Sequence, residues 1–295
     1  MNMFGLMWRT APRTLFRKVR RKLLRSPSDS FDLDEISEST KHIRPQRYYD
    51  FLNRYETILR RAAGWANLEF EGARVLEIGC GPLLGWAPLA LFRGCGSFVG
   101  IEPQFNPSVL QRKDFVTRYF RPVFKDLTAL FGPRMTFDAF LDALRERAVI
   151  YRQPLNDVDF SLPADIILSN SCLEHISLLD ESLVRLRALA QPQARFIHLV
   201  DFGNHRATRS PFSGMYQGKP AEYFARYGRH VNLLRPTDMV NTLRRCGFNA
   251  DYATYISAPE DFDEIVSDYW RLRYTNEELF TKTALVFGQV EQSRP

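Results

Sequence analysis

The stretch VLEIGCGPLLG, residues 75–85, places an apolar strand directly before a glycine-rich turn. A second apolar run, FVGIEP at residues 98–103, ends in Glu102. An apolar strand, a glycine turn that opens a helix, and a second strand ending in a carboxylate are typical of a nucleotide-binding βαβ unit. Gly79 and Gly81 let the backbone turn tightly and approach a ligand, because glycine carries no Cβ. The Glu102 carboxylate can accept both hydroxyls of a ribose.

The residues around the turn indicate which nucleotide it binds. A strict GxGxxG pattern would need glycine at Leu84, but the glycine comes one residue later, at Gly85. Glu77 would repel a dinucleotide phosphate and attract a ligand that carries an ammonium and a sulfonium group. S-adenosylmethionine has those charges, and NAD does not. A turn without a ligand is the alternative, but Glu77 in an apolar strand needs a partner.

These residues resemble the first motif of the class I S-adenosylmethionine-dependent methyltransferases, E/D-x-G-x-G. Glu77, Gly79 and Gly81 match that motif. The third glycine frequent in the family is absent at Leu83, and Gly85 is the substitute that we expect. The segment ADIILSNSCLEHI, residues 164–176, is similar to the fourth strand of the family and its following loop.

The resemblance runs from about residue 74 to residue 205 and implies both a fold and a cofactor. The expected fold is α/β: a Rossmann-like, doubly wound, seven-stranded sheet, mostly parallel with an antiparallel last strand, plus a helical N-terminal segment and lid insertions. The implied cofactor is S-adenosyl-L-methionine. We predict strands over residues 74–78, 97–102, 148–152, 164–169, 195–202, 250–256 and 284–290, helices over 41–65, 84–92 and 237–245, and a partly inserted helical stretch over 105–147.

The resemblance also implies cofactor-binding roles. Glu77 would face the methionine ammonium, and Glu102 would hold the ribose hydroxyls. Asp157 would meet the adenine amino group, with Asp159 as a close competitor. The remaining positions expected to line the cofactor pocket lie in the glycine turn and after strand four: Gly79, Cys80, Gly81, Asn170 and Ser171.

Length, charge and cysteine content narrow the class of protein to which the chain can belong. The chain has 295 residues, a net charge of +6 and four scattered cysteines without metal-ligand spacing. We interpret these cysteines as reduced thiols of a cytoplasmic protein. No apolar run reaches the roughly 20 residues that span a bilayer. We divide the chain into a basic segment and linker, 1–40, and a methyltransferase domain, 41–295, with a cofactor core at 73–205 and a substrate lid at 206–230.

The first 28 residues contain eight basic residues and no acidic one. Leu15, Phe16, Val19 and Leu23 fall within one apolar arc of a helical projection. We predict that this segment lies peripherally on an anionic membrane surface, at the inner membrane face. A disordered, solvated tail is an equal alternative. No nucleic-acid partner is expected, because aromatic residues are not interleaved with the charges.

Candidate bases lie in and near HLVDFGNH, residues 198–205, which is similar to an H-x-x-D-x-x-x-H element of some bacterial small-molecule and saccharide methyltransferases. We predict His205 as the general base, oriented by Asp201, and His175 as the second candidate. His175 has an equal structural alternative as a helix cap, and we interpret His198 as a core residue. Asp201 and His205 lack a clear third ligand, so we predict no metal.

The substrate prediction rests on the residues directly after strand four. Methyltransferases of nucleobase or glutamine amino groups commonly carry (D/N)PP(Y/F) there, whereas this chain reads NSCL at residues 170–173. We therefore expect O-methylation of a small-molecule, saccharide or lipid-linked hydroxyl, with arginines and aromatic residues of the lid holding the acceptor. The aromatic residues are Phe212, Tyr216, Tyr223, Phe224 and Tyr227, and the alternative for this stretch is a loop packed on the domain. The alternatives are a catalytically silent cofactor-binding scaffold at the membrane surface and, third, an NAD-linked oxidoreductase.

Overall fold

The computed structural model describes residues 30–39, 47–65, 68–159, 163–206, 210–262 and 265–292. Within these ranges, seven strands form a single sheet. Their bounds are β1 (Arg74–Ile78), β2 (Ser97–Ile101), β3 (Ala148–Tyr151), β4 (Ala164–Asn170), β5 (Ala190–Asp201), β6 (Phe248–Ser257) and β7 (Thr281–Val290).

Helices cover both faces of this sheet. Their bounds are α1 (Leu33–Glu38), α2 (Arg47–Ala63), α3 (Ala87–Phe92), α4 (Lys113–Phe115), α5 (Arg121–Phe131), α6 (Phe137–Glu146), α7 (Leu179–Ala188), α8 (Pro220–Tyr227), α9 (Pro236–Arg245), α10 (Asp268–Arg271) and α11 (Asn276–Phe280). A π-helical turn, Val116–Phe120, joins α4 to α5. Short 3-10 turns, Leu155–Asp157 and Leu173–His175, come after β3 and β4.

The strand order is β3-β2-β1-β4-β5-β7-β6. The first five strands are parallel, and β7 runs antiparallel to both β5 and β6. The predicted seven-stranded fold is therefore confirmed. The direction of chain progression reverses between β1 and β4, and in sheets of this kind ligands bind at the carboxyl ends of the strands beside that reversal.

The central strand explains why VLEI is almost wholly apolar. Val75, Leu76 and Ile78 are all buried, because a parallel strand in mid-sheet has helices on both faces. One layer contains α3, α5 and α6, and the other contains α7 and α9. Part of the 105–147 stretch that we interpreted as an insertion belongs to the first layer. There, the ring of Phe92 contacts the rings of Phe124 and Phe140 at centroid distances of 5.9 and 6.4 Å.

Residues 1–40 were predicted to be a basic segment and a linker, but Leu33–Glu38 within them forms α1. The acidic composition concealed two apolar positions, Leu33 and Ile36, that are buried against the main core. The side chain of Asp32 caps the helix by accepting hydrogen bonds from the N–H groups of Asp34 and Glu35. The Phe31 N–H donates to the Gln104 carbonyl at 2.7 Å, so this segment docks on the loop after β2.

The predicted start of α9 at residue 237 is also wrong. The helix begins at Pro236, with Arg235 rather than Thr237 at the N-cap. Proline fits the first helical position because its missing N–H would have no partner there. The Asp238 carboxylate accepts a hydrogen bond from the Arg235 N–H at 3.1 Å, and the Thr237 hydroxyl donates to Glu278 instead.

The basic segment predicted to lie on a membrane, residues 1–28, is outside the described ranges. Among the residues that are described, no helix has the length and apolarity needed to cross a membrane.

Candidate active site at the carboxyl edge of the sheet

The carboxylate of Glu77 lies beneath the glycine turn. Its side chain is 1% exposed, and its Oε2 accepts a hydrogen bond from the Trp86 N–H at 2.7 Å. Gly85 has a φ of +46°, and a Cβ added there would lie 2.3 Å from both carboxylate oxygens. Position 85 therefore requires glycine, because the Glu77 carboxylate occupies the space that a side chain at residue 85 would need. The contact of Glu77 with the methionine ammonium stays a prediction.

The turn after β1 contacts the loop after β4. A Cβ on Gly79, whose φ is +69°, would lie 2.7 Å from the Cys172 Sγ. The side chain of Cys80 is 4% exposed, so its backbone is the part that can meet a cofactor. Burial, with the nearby Glu77 and Glu102 carboxylates, raises the pKa of the Cys80 thiol. Cys80 is therefore an unreactive packing residue of the turn.

Glu102 directly follows β2, and its carboxylate is hydrogen-bonded to the glycine turn. Oε2 accepts a hydrogen bond from the Gly81 N–H at 3.0 Å, and Oε1 accepts one from the Gln104 N–H at 3.2 Å. Burial raises the pKa of Glu102, although both backbone donors oppose that shift. The structure thus brings together the turn and the acid that sequence analysis assigned to the ribose.

The two candidate adenine ligands differ in their surroundings. Asp157 ends the 3-10 turn after β3 and is exposed. Asp159 is 96% exposed at its side chain and pairs with Arg185 on α7 at 3.3 Å. Because this ion pair draws Asp159 toward α7, the structure favours Asp157 of the two. Its contact with adenine stays a prediction.

At the end of β4 the backbone takes an uncommon conformation. Ser171 has a φ of +51°, and its N–H donates to the Leu199 carbonyl at 2.8 Å. Its hydroxyl donates to the Asn170 Oδ1 at 3.3 Å. A non-glycine residue held in a sparsely populated conformation costs about 1–3 kcal/mol, and such residues cluster at functional sites. The turn here carries the chain from β4 into Leu173–His175.

Three side chains converge beyond β4 and β5, and we call Glu174, His175 and His205 the acid–histidine cluster. One nitrogen or carboxylate oxygen from each lies within 4.8 Å of the others. The two imidazole rings have centroids 4.8 Å apart at an interplanar angle of 63°. Since β4 and β5 are parallel neighbours, their carboxyl ends meet at one edge of the sheet. Both predicted catalytic histidines are therefore in contact.

Further groups orient the two imidazoles. The His205 Nε2 lies 3.6 Å from the Asp201 Oδ1, the contact that sequence analysis predicted. Burial alone would raise the pKa of Asp201, but His205, the Gly203 N–H and Lys282 outweigh it, and the net shift is downward. The His175 Nδ1 lies 2.6 Å from the His230 carbonyl. His175 is not a helix cap, because α7 begins after Leu178 without a side-chain cap.

Glu174 is a residue of the candidate site that the sequence did not identify. It is 2% exposed, and burial raises its pKa to about 8. Oε1 accepts a hydrogen bond from the Asp201 N–H at 3.3 Å, while Oε2 is buried and has no hydrogen-bond partner among the described residues. The one sequence feature that could have identified Glu174 is its position directly before the candidate base His175. A 3-10 turn brings adjacent side chains together in a way that strand alternation does not predict.

His198 belongs to the core, as expected. It is fully buried, its Nδ1 lies 2.8 Å from the Ser169 Oγ, and its ring stacks on Phe196 at 5.4 Å. Burial lowers its pKa to about 3, so the imidazole is neutral at physiological pH.

The aromatic residues of the expected lid are differently placed. Phe212, Tyr216 and Tyr223 are buried in a separate apolar cluster that includes Trp270. The Tyr216 ring lies 5.2 Å from Trp270, and its hydroxyl donates to the Leu279 carbonyl at 2.9 Å. The expectation that these three rings stack on an acceptor is therefore wrong, since each is already packed inside the protein.

Arg235 is a second residue that sequence analysis missed. Its guanidinium is fully buried and donates to the carbonyls of Phe202, Glu278 and Thr281 at 2.9, 2.5 and 2.6 Å. Phe202 is the residue directly after Asp201. Arg235 thus anchors the chain where β5 ends, next to the acid–histidine cluster.

Comparison with known proteins agrees with this fold. The sequence profile of a family described as a methyltransferase domain matches residues 40–253, well over half of the chain. No curated protein sequence matches the chain closely enough to count as a relative.

Three solved structures illustrate the likeness. An S-adenosylmethionine-dependent methyltransferase from Mesorhizobium loti is 14% identical, with 81% of this chain and 98% of the other covered and a TM-score of 0.43. A Haemonchus contortus N-methyltransferase, solved with S-adenosylhomocysteine, is 13% identical over 88% and 59% of the two chains, with a TM-score of 0.47. The CurJ carbon methyltransferase is 13% identical over 87% and 59%, with a TM-score of 0.45. Likeness at these identities concerns the fold and leaves the acceptor open.

The family match extends over the glycine turn, Glu102 and the loop after β4. The expectations of a methyltransferase and of S-adenosylmethionine as its cofactor are therefore confirmed. The chain belongs to the methyltransferase domain family and is an S-adenosylmethionine-dependent methyltransferase.

Proposed function

We propose that this protein transfers the methyl group of S-adenosylmethionine to a hydroxyl oxygen of a small-molecule, saccharide or lipid-linked acceptor. The acid–histidine cluster is the observation that carries the proposal. His205, held near Asp201 at 3.6 Å, is the first candidate to take the hydroxyl proton, and His175 is the second.

The reaction requires such a group. The sulfonium already activates the methyl carbon, so the protein has to align the acceptor and, for a hydroxyl, remove its proton. An imidazole oriented by a carboxylate can act as that base. Cys172 lies against Gly79 in the cofactor turn, and Glu174 comes two residues later, which supports a cluster close to the cofactor.

The cofactor pocket that we propose combines the positions assigned by resemblance with the observed contacts. Glu102 would exchange its hydrogen bond from the Gly81 N–H for the ribose hydroxyls. Glu77 would act from beneath the turn, and Asp157 would accept from the adenine amino group. The remaining pocket positions are Gly79, Cys80, Gly81, Asn170 and Ser171.

Paired acceptors test the reaction type. The protein is incubated with S-adenosylmethionine and acceptors that differ only in bearing a hydroxyl, an amine or a hydrogen at one carbon. S-adenosylhomocysteine is quantified, and the product mass is measured. We expect methylation of hydroxyl acceptors and a fall in kcat of about a hundredfold or more in His205→Ala.

Glu71→Gln is the control, because it changes an exposed side chain that pairs with Arg134 and has no role in the cluster. An unchanged kcat in His205→Ala would overturn the base assignment. Methylation of the amine alone would overturn the acceptor class. Tight binding of S-adenosylhomocysteine with no turnover on any acceptor would favour the scaffold alternative.

We also propose that residues 1–28 hold the enzyme near a membrane-borne acceptor. The basic and apolar composition of the segment supports this. Co-sedimentation with anionic liposomes, with and without residues 1–28, tests it. Equal recovery of both forms in the supernatant would contradict the proposal.

A further inference from the structure

We propose that the acid–histidine cluster binds one divalent first-row transition-metal cation through a Glu174 oxygen and one nitrogen each of His175 and His205. The three donor atoms come from the 3-10 turn after β4 and from the loop after β5, so the fold itself brings them together.

The spacing of the donors suits a small ion after a modest closure. All three lie within 4.8 Å of one another. Zinc takes imidazole nitrogen at about 2.0–2.1 Å and carboxylate oxygen at about 2.0–2.2 Å. Donors around such an ion are therefore roughly 3–4 Å apart. Side-chain movements of about 1 Å would bring the three donors to that spacing.

The orphaned oxygen of Glu174 is a second, independent observation. Its Oε2 is buried and has no hydrogen-bond partner in the part of the chain that the structure describes. A buried polar atom without a partner is costly, and a bound ion is one of the groups that satisfies such an atom. The residue with the unpartnered oxygen is thus one of the three residues of the cluster.

The second nitrogen of each ring faces an oxygen atom of a neighbouring residue. The His175 Nδ1 faces the His230 carbonyl at 2.6 Å, which directs Nε2 to the ion. The His205 Nε2 faces Asp201 at 3.6 Å, which leaves Nδ1 for the ion. Metal-binding histidines nearly always donate their other N–H to a carbonyl or a carboxylate, which fixes the ring and its tautomer.

The donor set selects the class of ion. Two imidazoles and one carboxylate suit zinc, iron, cobalt, nickel or manganese, whereas magnesium and calcium prefer oxygen ligands alone. Three protein ligands leave at least one coordination position open, as in catalytic metal sites. A hydroxyl acceptor is chemically suited to that position.

This inference deepens the proposed function and rests on it for the acceptor, but not for binding of the ion. A bound cation lowers the pKa of an oxygen ligand, so the cluster would assist proton loss through the ion in the loaded protein. In the unloaded protein, a free His205 would be the base. The two roles use the same lone pair and exclude each other at any one moment.

Binding is measured on the full-length, tag-free chain after treatment with a chelator. Co²⁺ is titrated with visible absorption as the readout, and Zn²⁺ is titrated by calorimetry. We expect one equivalent of either ion per chain, with d–d bands characteristic of nitrogen ligation. Glu174→Gln and His205→Ala should weaken binding at least tenfold, and Asp201→Asn by about 10–100-fold. Glu71→Gln, which changes an exposed carboxylate paired with Arg134, should bind like the parent.

Affinity for S-adenosylhomocysteine, which needs neither ion nor acceptor, verifies that each variant is folded. Absence of a stoichiometric site at 100-fold excess of Co²⁺ and Zn²⁺ would overturn the inference. So would equal affinity of the parent, Glu174→Gln and His205→Ala. Neither outcome depends on finding an acceptor, so failure of the ion site is distinguishable from failure of the proposed methyl transfer.

Discussion

The carboxylate of Glu77 fills the space that a side chain at residue 85 would need: both of its oxygens lie 2.3 Å from the ideal Cβ position of Gly85. Glu77 is the acid of the family motif, and Gly85 is the expected substitute for the family's third glycine. The two residues are therefore in direct contact. With the Trp86 N–H bound to the same carboxylate at 2.7 Å, Glu77 holds the turn that presents the cofactor-facing backbone.

Gly85→Ala is expected to lower the free energy of unfolding by more than about 3 kcal/mol, because it combines a left-handed backbone with a clash against a buried carboxylate. Gly72→Ala is the matched control. Gly72 has a φ of +69° but nothing within 4 Å of its Cβ position, so its change should cost only about 1 kcal/mol.

Urea denaturation of the two variants and the parent provides the comparison. A double-mutant cycle with Glu77→Ala should recover part of the Gly85→Ala cost, since the clashing group is then absent. Equal losses in Gly85→Ala and Gly72→Ala would contradict the contact.

Titration of His198 should make stability depend on pH. Its pKa of about 3 in the folded protein lies below the ordinary value near 6.5, so the folded state binds fewer protons than the unfolded state between those values. The stabilisation is present above pH 6.5 and is lost as pH falls toward 3. From pH 7 to pH 5, the loss from this group should be about 2 kcal/mol.

Urea denaturation at several pH values checks this, with His198→Gln as the comparison. Glutamine can still bond to Ser169 but does not titrate, so the variant should lose less stability between pH 7 and pH 5. Identical slopes for the variant and the parent would show that His198 is not the group responsible.

Replacement of Arg235 should strongly destabilise the folded protein. Arg235→Met removes the donors to the Phe202, Glu278 and Thr281 carbonyls, and buried polar groups left without a partner cost about 1–3 kcal/mol each. We expect a loss of at least about 3 kcal/mol in the free energy of unfolding. The exposed Arg226→Met should change it by less than about 0.5 kcal/mol. Similar losses of unfolding free energy in the two variants would show that Arg235 does not anchor the end of β5.

The fold was predictable because periodicity and glycine placement are local signals. The β1 bounds match the prediction, and the other predicted strands overlap the observed ones, although β5 begins five residues before its predicted start. Errors arose where tertiary contacts outweighed composition. Leu33 and Ile36 turn an acidic segment into a packed helix, and α9 begins at Pro236, one residue before its predicted start.

The candidate site was predictable only in part. His175, Asp201 and His205 were identified because the ends of parallel strands meet at one edge. Glu174 was not, because its burial depends on the 3-10 turn and on its neighbours in space. The buried lid aromatics were misjudged for a similar reason: sequence does not distinguish a ring that faces solvent from one packed against Trp270.

Calorimetric titration with S-adenosylhomocysteine tests the central claim, that the glycine turn and Glu102 form the cofactor site. The parent should bind one molecule per chain. Glu102→Ala should weaken binding about 10–100-fold, since hydrogen bonds to a charged group contribute about 1.5–3 kcal/mol. The exposed Glu71→Ala should leave affinity unchanged. No heat with folded parent protein, or equal affinity in Glu102→Ala and the parent, would contradict the account.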